Sequence, residues 1–257
     1  MNNVRFSRFR ATGAALLLAL LVSLPAAAAA GPAAKPEEFR YSWRLRGILG
    51  WIADFKFPNS GSGELRNIPS GDTLKSELVI TGDEGNGARY VYRSEIAGDE
   101  LKTLMTFHGY AWDGRTRNEQ TRFDYDDGIA RIRKEREGRA PETKVRDIPA
   151  GDMRDVLTGI HFLRKKAGTF TRPLLSEIYS DGTIYPVEFR PLGSRTLPYR
   201  GKMVPVDGFE IGAVAGDRDK WPGGVRVWLT SDAARIPLRI EIRQSFASLQ
   251  LDLQSVG

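Results

Sequence analysis

The sequence contains no cysteine, which excludes disulfide scaffolds, thiol nucleophiles, cysteine-ligated zinc and lipid attachment at an N-terminal cysteine. Histidine is nearly absent: His108 and His161 are the two present, and they leave little room for a histidine metal site. Phosphate-loop chemistry is missing too, because the glycine clusters at 82–87 and 223–224 lack the Gly-Lys-Ser/Thr ending. No G-x-S-x-G elbow occurs, and Ser60-Gly61-Ser62-Gly63 reads as a flexible loop. The expectation is a protein without metal, cofactor or evident catalytic residues. What is present suits a folded chain: 257 residues, 41% apolar and 27% charged, enough for one domain or two small ones.

The strongest apolar stretch is N-terminal. Arg5, Arg8 and Arg10 precede an apolar run from Gly13 to Leu24, interrupted only by Ser23. Pro25 ends the run, and Ala26 to Ala30 offers small-x-small cleavage sites. This is the layout of a secretory signal peptide over residues 1–30, and the run falls short of the ~20 residues a spanning helix needs. Three of the 38 basic residues and none of the 32 acids lie there, so a formal charge of +6 becomes +3 on residues 31–257. The sequence thus predicts a periplasmic, exported domain over 31–257, with no integral span after cleavage and no nucleic-acid partner.

From Phe39 onward, apolar and polar residues alternate. Phe39, Tyr41, Trp43 and Leu45 share one face; Trp51, Ala53, Phe55 and Phe57 repeat the pattern. Thr183 to Phe189, Ile236 to Ile242 and Leu249 to Leu253 continue it. Weaker strand candidates lie near 73–81, 88–96, 101–107, 117–124, 129–136, 203–211 and 225–230. Such alternation belongs to antiparallel sheets with one buried and one wet face. Asn86-Gly87, Asp113-Gly114, Asp127-Gly128 and Asp181-Gly182 carry hairpin turn chemistry. Pro191 to Lys202, rich in proline and glycine, reads as the longest loop.

One segment changes period. Met153, Val156, Leu157, Ile160 and Leu163 fall on a single helical stripe, with Asp152 as the expected N-cap and Gly168 as a terminator. His161 is placed at the flank of that stripe, and Phe162 opposite it, where a ring faces a second packing layer or a ligand. The expected fold is mainly β: an antiparallel, half-barrel-like curled sheet packed around one central α-helix.

Three stretches together resemble the exported family catalogued as domain of unknown function 3108. They are FRYSWRLRGILGW at 39–51, the helix motif from Asp155-Val156-Leu157-Thr158 through His161-Phe162-Leu163-Arg164, and VWLTSDAARIPLRIEI at 227–242 with Ser231-Asp232 and Arg235-Ile236-Pro237. Thr158 stands where a serine is expected and Phe162 where a tyrosine is common. The resemblance implies an exported β-rich protein of unassigned activity, and at the level of fold a likeness to the half-barrels that carry lipoproteins and lipids through the periplasm.

Several clusters invite chemistry but have simpler readings. Asp124, Asp126, Asp127 and Gly128 place glycine fifth, where a calcium loop needs it sixth, so a hairpin turn accounts for them. Asp232 and Arg235 read as a local ion pair, and Pro237 implies a sheet edge or bulge. Residues 131–146 carry seven basic side chains against three acids, which suits either a solvated face or an anionic head group. The reading is a soluble periplasmic, non-catalytic protein that binds a lipid-like, amphipathic ligand or an envelope protein partner. Trp43, Trp51, Phe55 and Phe162 are the expected apolar contacts, and Arg131, Arg133 and Arg136 the expected basic rim. The alternatives are an interaction module with a filled core and an envelope hydrolase acting on glycan.

Overall fold

The computed structural model describes residues 35–47, 58–83, 87–149, 151–214, 221, 223–243 and 247–257. Within them the alternating segments become fourteen strands of one antiparallel sheet. A first arm comprises β1 (Glu37–Gly47), β2 (Ser60–Ser70), β3 (Thr73–Gly82), β4 (Arg89–Ala97), β5 (Thr103–Trp112), β6 (Arg115–Asp124), β7 (Ile129–Arg136) and β8 (Glu142–Asp147). Helix α1 (Val156–Lys166) follows. A second arm comprises β9 (Leu174–Ser180), β10 (Thr183–Tyr199), β11 (Lys202–Ala213), β12 (Gly224–Thr230), β13 (Pro237–Arg243) and β14 (Ala247–Val256). The arms join mid-sheet through β1 and β14, leaving β8 and β9 as the edges. Helix α1 packs on β3 and β4 of one arm and on β9 and β12 of the other, so the sheet curls around it. This is the half-barrel with a single helix that the alternation predicts.

Turn chemistry sets the hairpins. Asp113-Gly114 and Asp181-Gly182 both take left-handed backbone angles, with φ of 49° and 71° in the first and 48° and 78° in the second. That is the I′ geometry whose twist matches the flanking strands. The expected Asn86-Gly87 turn lies partly outside the described residues.

Four local expectations are corrected. The Pro191–Lys202 stretch is strand, because β10 runs on to Tyr199 and pairs with β11. Partner β9 ends opposite Phe189, so Pro191 and Pro198 lie where the outer side of β10 has no ladder, and a missing N–H costs nothing there. Ser60 to Gly63 likewise opens β2. A Cβ at Gly61 would collide with the Trp43 indole and the Thr81 carbonyl, so glycine there makes room for a side chain from β1. Helix α1 starts one turn later than its stripe suggests: Asp155 is the N-cap, its Oδ1 accepting from the Thr158 N–H at 2.8 Å. Finally, Arg235 pairs with Asp207 at 2.7 Å, whereas Asp232 accepts from the Thr230 hydroxyl and the Ala234 N–H. The Leu229–Pro237 pairing does fall at a register shift, as a strand proline requires.

The main core lies between α1 and both arms. Leu157, Ile160 and Leu163 meet Phe39, Leu65, Leu78, Phe189, Ile211 and Val227, each worth roughly 1.5–3 kcal/mol on burial. A second, smaller core joins Phe123 and Ala130 to Met153 and Tyr179. It sits between β6–β7 and β9, where side chains draw the two arms together.

Candidate functional site

Register across the first arm sorts the inner face into rungs, because residues directly opposite one another share a face. The deepest rung reads Asn67, Ser76, Ser94, Thr106 and Thr121 across β2 to β6. It is polar yet buried, and α1 and β9 satisfy it. His161 Nε2 lies 3.1 Å from both Asn67 Oδ1 and Ser76 Oγ, and Ser94 donates to Asp155. Thr121 shares a 2.6 Å hydrogen bond with the Tyr179 hydroxyl. Burial, with Arg164 beside it, pushes the His161 imidazole down to about 3. His161 is thus a buried neutral hydrogen-bonding group, not the flank residue the stripe suggests; the polar rung supplies partners for a helix face that is otherwise apolar.

The next rung is Leu78, Tyr92, His108, Glu119 and Lys134. Glu119, 4% exposed, receives Lys134 Nζ at 2.6 Å and the Tyr179 hydroxyl at 3.2 Å. His108 packs edge-on to Tyr92 at 5.0 Å, and its Nδ1 lies 3.8 Å from Asp181, whose carboxyl it holds below the usual range. The outermost rung is Ile80, Tyr90, Tyr110, Arg117 and Arg136.

These two outer rungs form one wall of a crevice of about 800 Å³. Its other walls are the start of α1 at Val156 and Leu157, the β9–β10 turn at Ser180 and Asp181, and Trp221, Val225 and Ile242 of the second arm. That volume falls in the range of small-molecule sites, about 300–1,000 Å³, and aromatic walls with a few polar groups are their usual lining. Burial raises the phenol pKa of Tyr92 to about 12 and lifts that of Tyr90 further, so both hydroxyls stay neutral donors at physiological pH. Among the described residues no hydrogen bond links Ser180 to His108, and no group of three or more His, Asp or Glu is placed to hold a metal ion.

The residues picked out from the sequence are distributed unevenly. Arg136 lines the crevice; Arg131 and Arg133 sit on the opposite face of β7, because strand side chains alternate. There Arg131 faces Asp124 and Asp127, and Arg133 faces Glu135 at 2.7 Å. Trp43 is buried in the main core and donates to the Thr81 carbonyl at 2.8 Å. Phe162 packs on Phe189 at 5.0 Å with the Arg154 guanidinium 4.4 Å over its ring, so α1 is covered on both sides. Trp51 and Phe55 lie outside the described residues, as does the 1–30 segment. The crevice tyrosines and Trp221 carry no site expectation from the sequence, and His108 is weighed there only as one of two histidines too few for a metal site. Their signal was the i, i+2 spacing of Tyr90 with Tyr92 and of His108 with Tyr110, which becomes a wall only once register aligns four strands.

Comparisons with known proteins agree with this architecture. A family model described as "Protein of unknown function (DUF3108)" matches residues 72–254, which takes in the helix and C-terminal motifs but not 39–51. The crystal structure of a beta-barrel-like protein of domain of unknown function DUF1849 from Brucella abortus superposes with a TM-score of 0.58 at 11% identity, covering 86% of this chain and 96% of that one. It establishes likeness of fold alone. The Mycobacterium tuberculosis lipoprotein LppX covers 84% of each chain at 11% identity with a TM-score of 0.29, too slight to carry an argument. No curated protein matches the chain. No helix among the described residues is long and apolar enough to cross a membrane.

Proposed function

The chain belongs to the DUF3108 family, and from that premise we propose that it is a non-catalytic periplasmic protein that binds an amphipathic, lipid-like ligand in the crevice. The single observation that carries this reading is an aromatic-walled cavity of about 800 Å³ between the two arms of the sheet. Burying apolar ligand surface there contributes roughly 25 cal/mol per Å². Tyr90, Tyr92, Tyr110 and Trp221 supply the apolar contacts, and Arg136 stands at the rim. Trp51 and Phe55 remain proposed apolar contacts on the sequence pattern alone. In this reading residues 1–30 are removed on export, and residues 31–257 act as one domain.

Native mass spectrometry of protein purified from the periplasm, followed by lipid extraction, tests the proposal. The expected spectrum shows a mature chain beginning near residue 31 and carrying a lipid-sized adduct. A mature chain free of any adduct, together with no uptake of added amphiphile, overturns it.

A further inference from the structure

The outermost rung of the crevice carries a charge arrangement that packing does not explain. Arg117 of β6 and Arg136 of β7 are directly opposite cross-strand partners, with side chains on the same face. Like charges so placed are destabilising unless something negative lies between them. Arg117 reaches Glu119 only at 3.8 Å, and Lys134 already occupies that carboxylate at 2.6 Å. Among the described residues Arg136 has no ion pair, nor do Arg115, at the start of β6, and Arg139, in the β7–β8 turn, which line the same mouth. Glu137 also faces the mouth and pairs with none of them. Other charges on the walls are engaged: Arg243 with Glu210 at 2.8 Å, Asp181 with His108 and, at longer range, with Arg117 and Lys134, and Asp155 at the helix cap. Arg115, Arg136 and Arg139 against Glu137, with Arg117 held only loosely by Glu119 and Asp181, leave a local excess of positive charge at one end of an otherwise aromatic cavity.

The same rung is graded. It passes from Ile80 through Tyr90 and Tyr110 to Arg117 and Arg136, and the rung beneath passes from Leu78 through Tyr92 to charged groups. Strands lie about 4.8 Å apart, so the grade from β4 to β7 extends over roughly 14 Å. A ligand lying across the strands therefore meets aromatic surface at one end and guanidinium groups at the other. Paired guanidinium forks suit phosphate and carboxylate oxygens, which bind them through parallel charge-assisted hydrogen bonds.

Resting on the crevice as the binding site, we propose that its ligand is an anionic amphiphile, with a phosphate or carboxylate head between Arg117 and Arg136 and its chain against Tyr90, Tyr92 and Tyr110. Arg115 and Arg139 add to the field at the mouth. Arg131 and Arg133 take no part, being on the other face.

Isothermal titration of the mature protein below micelle-forming concentrations decides the matter, using dodecyl phosphate, its neutral dimethyl ester and inorganic phosphate. Dodecyl phosphate is expected to bind at least about tenfold more tightly than the ester, since only the anion accepts charge-assisted hydrogen bonds from the guanidinium groups. Arg117→Gln with Arg136→Gln, both on solvent-accessible side chains, is expected to abolish that preference. Arg133→Gln is expected to change nothing. Equal affinity for dodecyl phosphate and ester overturns the head-group assignment but leaves the crevice reading standing. Inorganic phosphate binding as tightly as dodecyl phosphate also overturns it, by showing a free-anion site. Binding of none of the three overturns the crevice reading beneath it.

Discussion

His161 shows how much one residue's role depends on partners that lie far away in sequence. Its ring has no room for a second proton: burial opposes the charge, Arg164 stands beside it, and Asn67 and Ser76 take up Nε2. A histidine whose pKa is depressed in the folded state binds its proton more readily unfolded. Its contribution to stability is therefore complete above the ordinary value near 6.5 and is lost progressively as pH falls toward about 3. Between pH 6.5 and 4.5 the loss should approach about 2 kcal/mol, at 1.36 kcal/mol per pKa unit. Urea unfolding of wild type and His161→Gln at a series of pH values checks this. The variant should be less stable at pH 7.5 and should show a flatter profile across that window; parallel profiles would contradict the assignment. Glu37 works in a lower window. Burial pushes its carboxyl up, but the hydrogen-bonded Arg164 guanidinium outweighs that and leaves it below its usual 4.5, so its share is lost as pH falls through the carboxylate range. None of this was legible from the helix stripe, which places His161 by angle alone. Its partners come from β2 and β3, and the polar rung is spread over five strands.

At the scale of elements, periodicity served well where one face is apolar and poorly where it is not. Strands such as β1, β13 and β14 alternate cleanly and were readable at once. Edge strand β8 is exposed at every position from Glu142 to Asp147, so no hydrophobic pattern marks it. Edge strand β9 was missed for another reason. Its anchor is Tyr179, whose phenol bonds Thr121 and Glu119 of β6, with help from the parallel Arg154–Ile178 bridge. Along this seam, away from the β1–β14 join, these ties stand in for a strand ladder between β9 and the first arm. Tyr179→Phe leaves Thr121 and Glu119, 0% and 4% exposed, without that partner, and should cost about 1–3 kcal/mol. Hydrogen exchange of the β9 amides should quicken in the variant while β1 and β14 stay protected. Uniform acceleration across the sheet would instead mean that the tie supports the whole fold and not the seam alone.

The described residues of the unit Ala34–Gly257 form a strip of fourteen strands that curls around α1, which packs on both of its halves. That arrangement makes the crevice a property of both arms. Tyr90, Tyr92 and Tyr110 come from one, and Trp221, Val225 and Ile242 from the other. Unfolding separates the arms and destroys the site, so a ligand held there binds only the native state. Linkage then fixes the sign: occupancy must raise stability, by about 2.7 kcal/mol at a ligand concentration one hundred times Kd. For a domain of this size each kcal/mol moves Tm by about 2–4 °C, so dodecyl phosphate at that concentration should raise Tm by roughly 5–10 °C. A tie at the seam and a ligand in the crevice also act on the same separation of arms. Tyr179→Phe, with a weakened seam, should therefore bind the amphiphile less tightly than wild type while still being stabilised by it. A scanning calorimeter can follow both proteins with and without ligand. If titration detects binding but Tm does not move in either protein, the ligand does not bridge the arms, and the crevice is not its site.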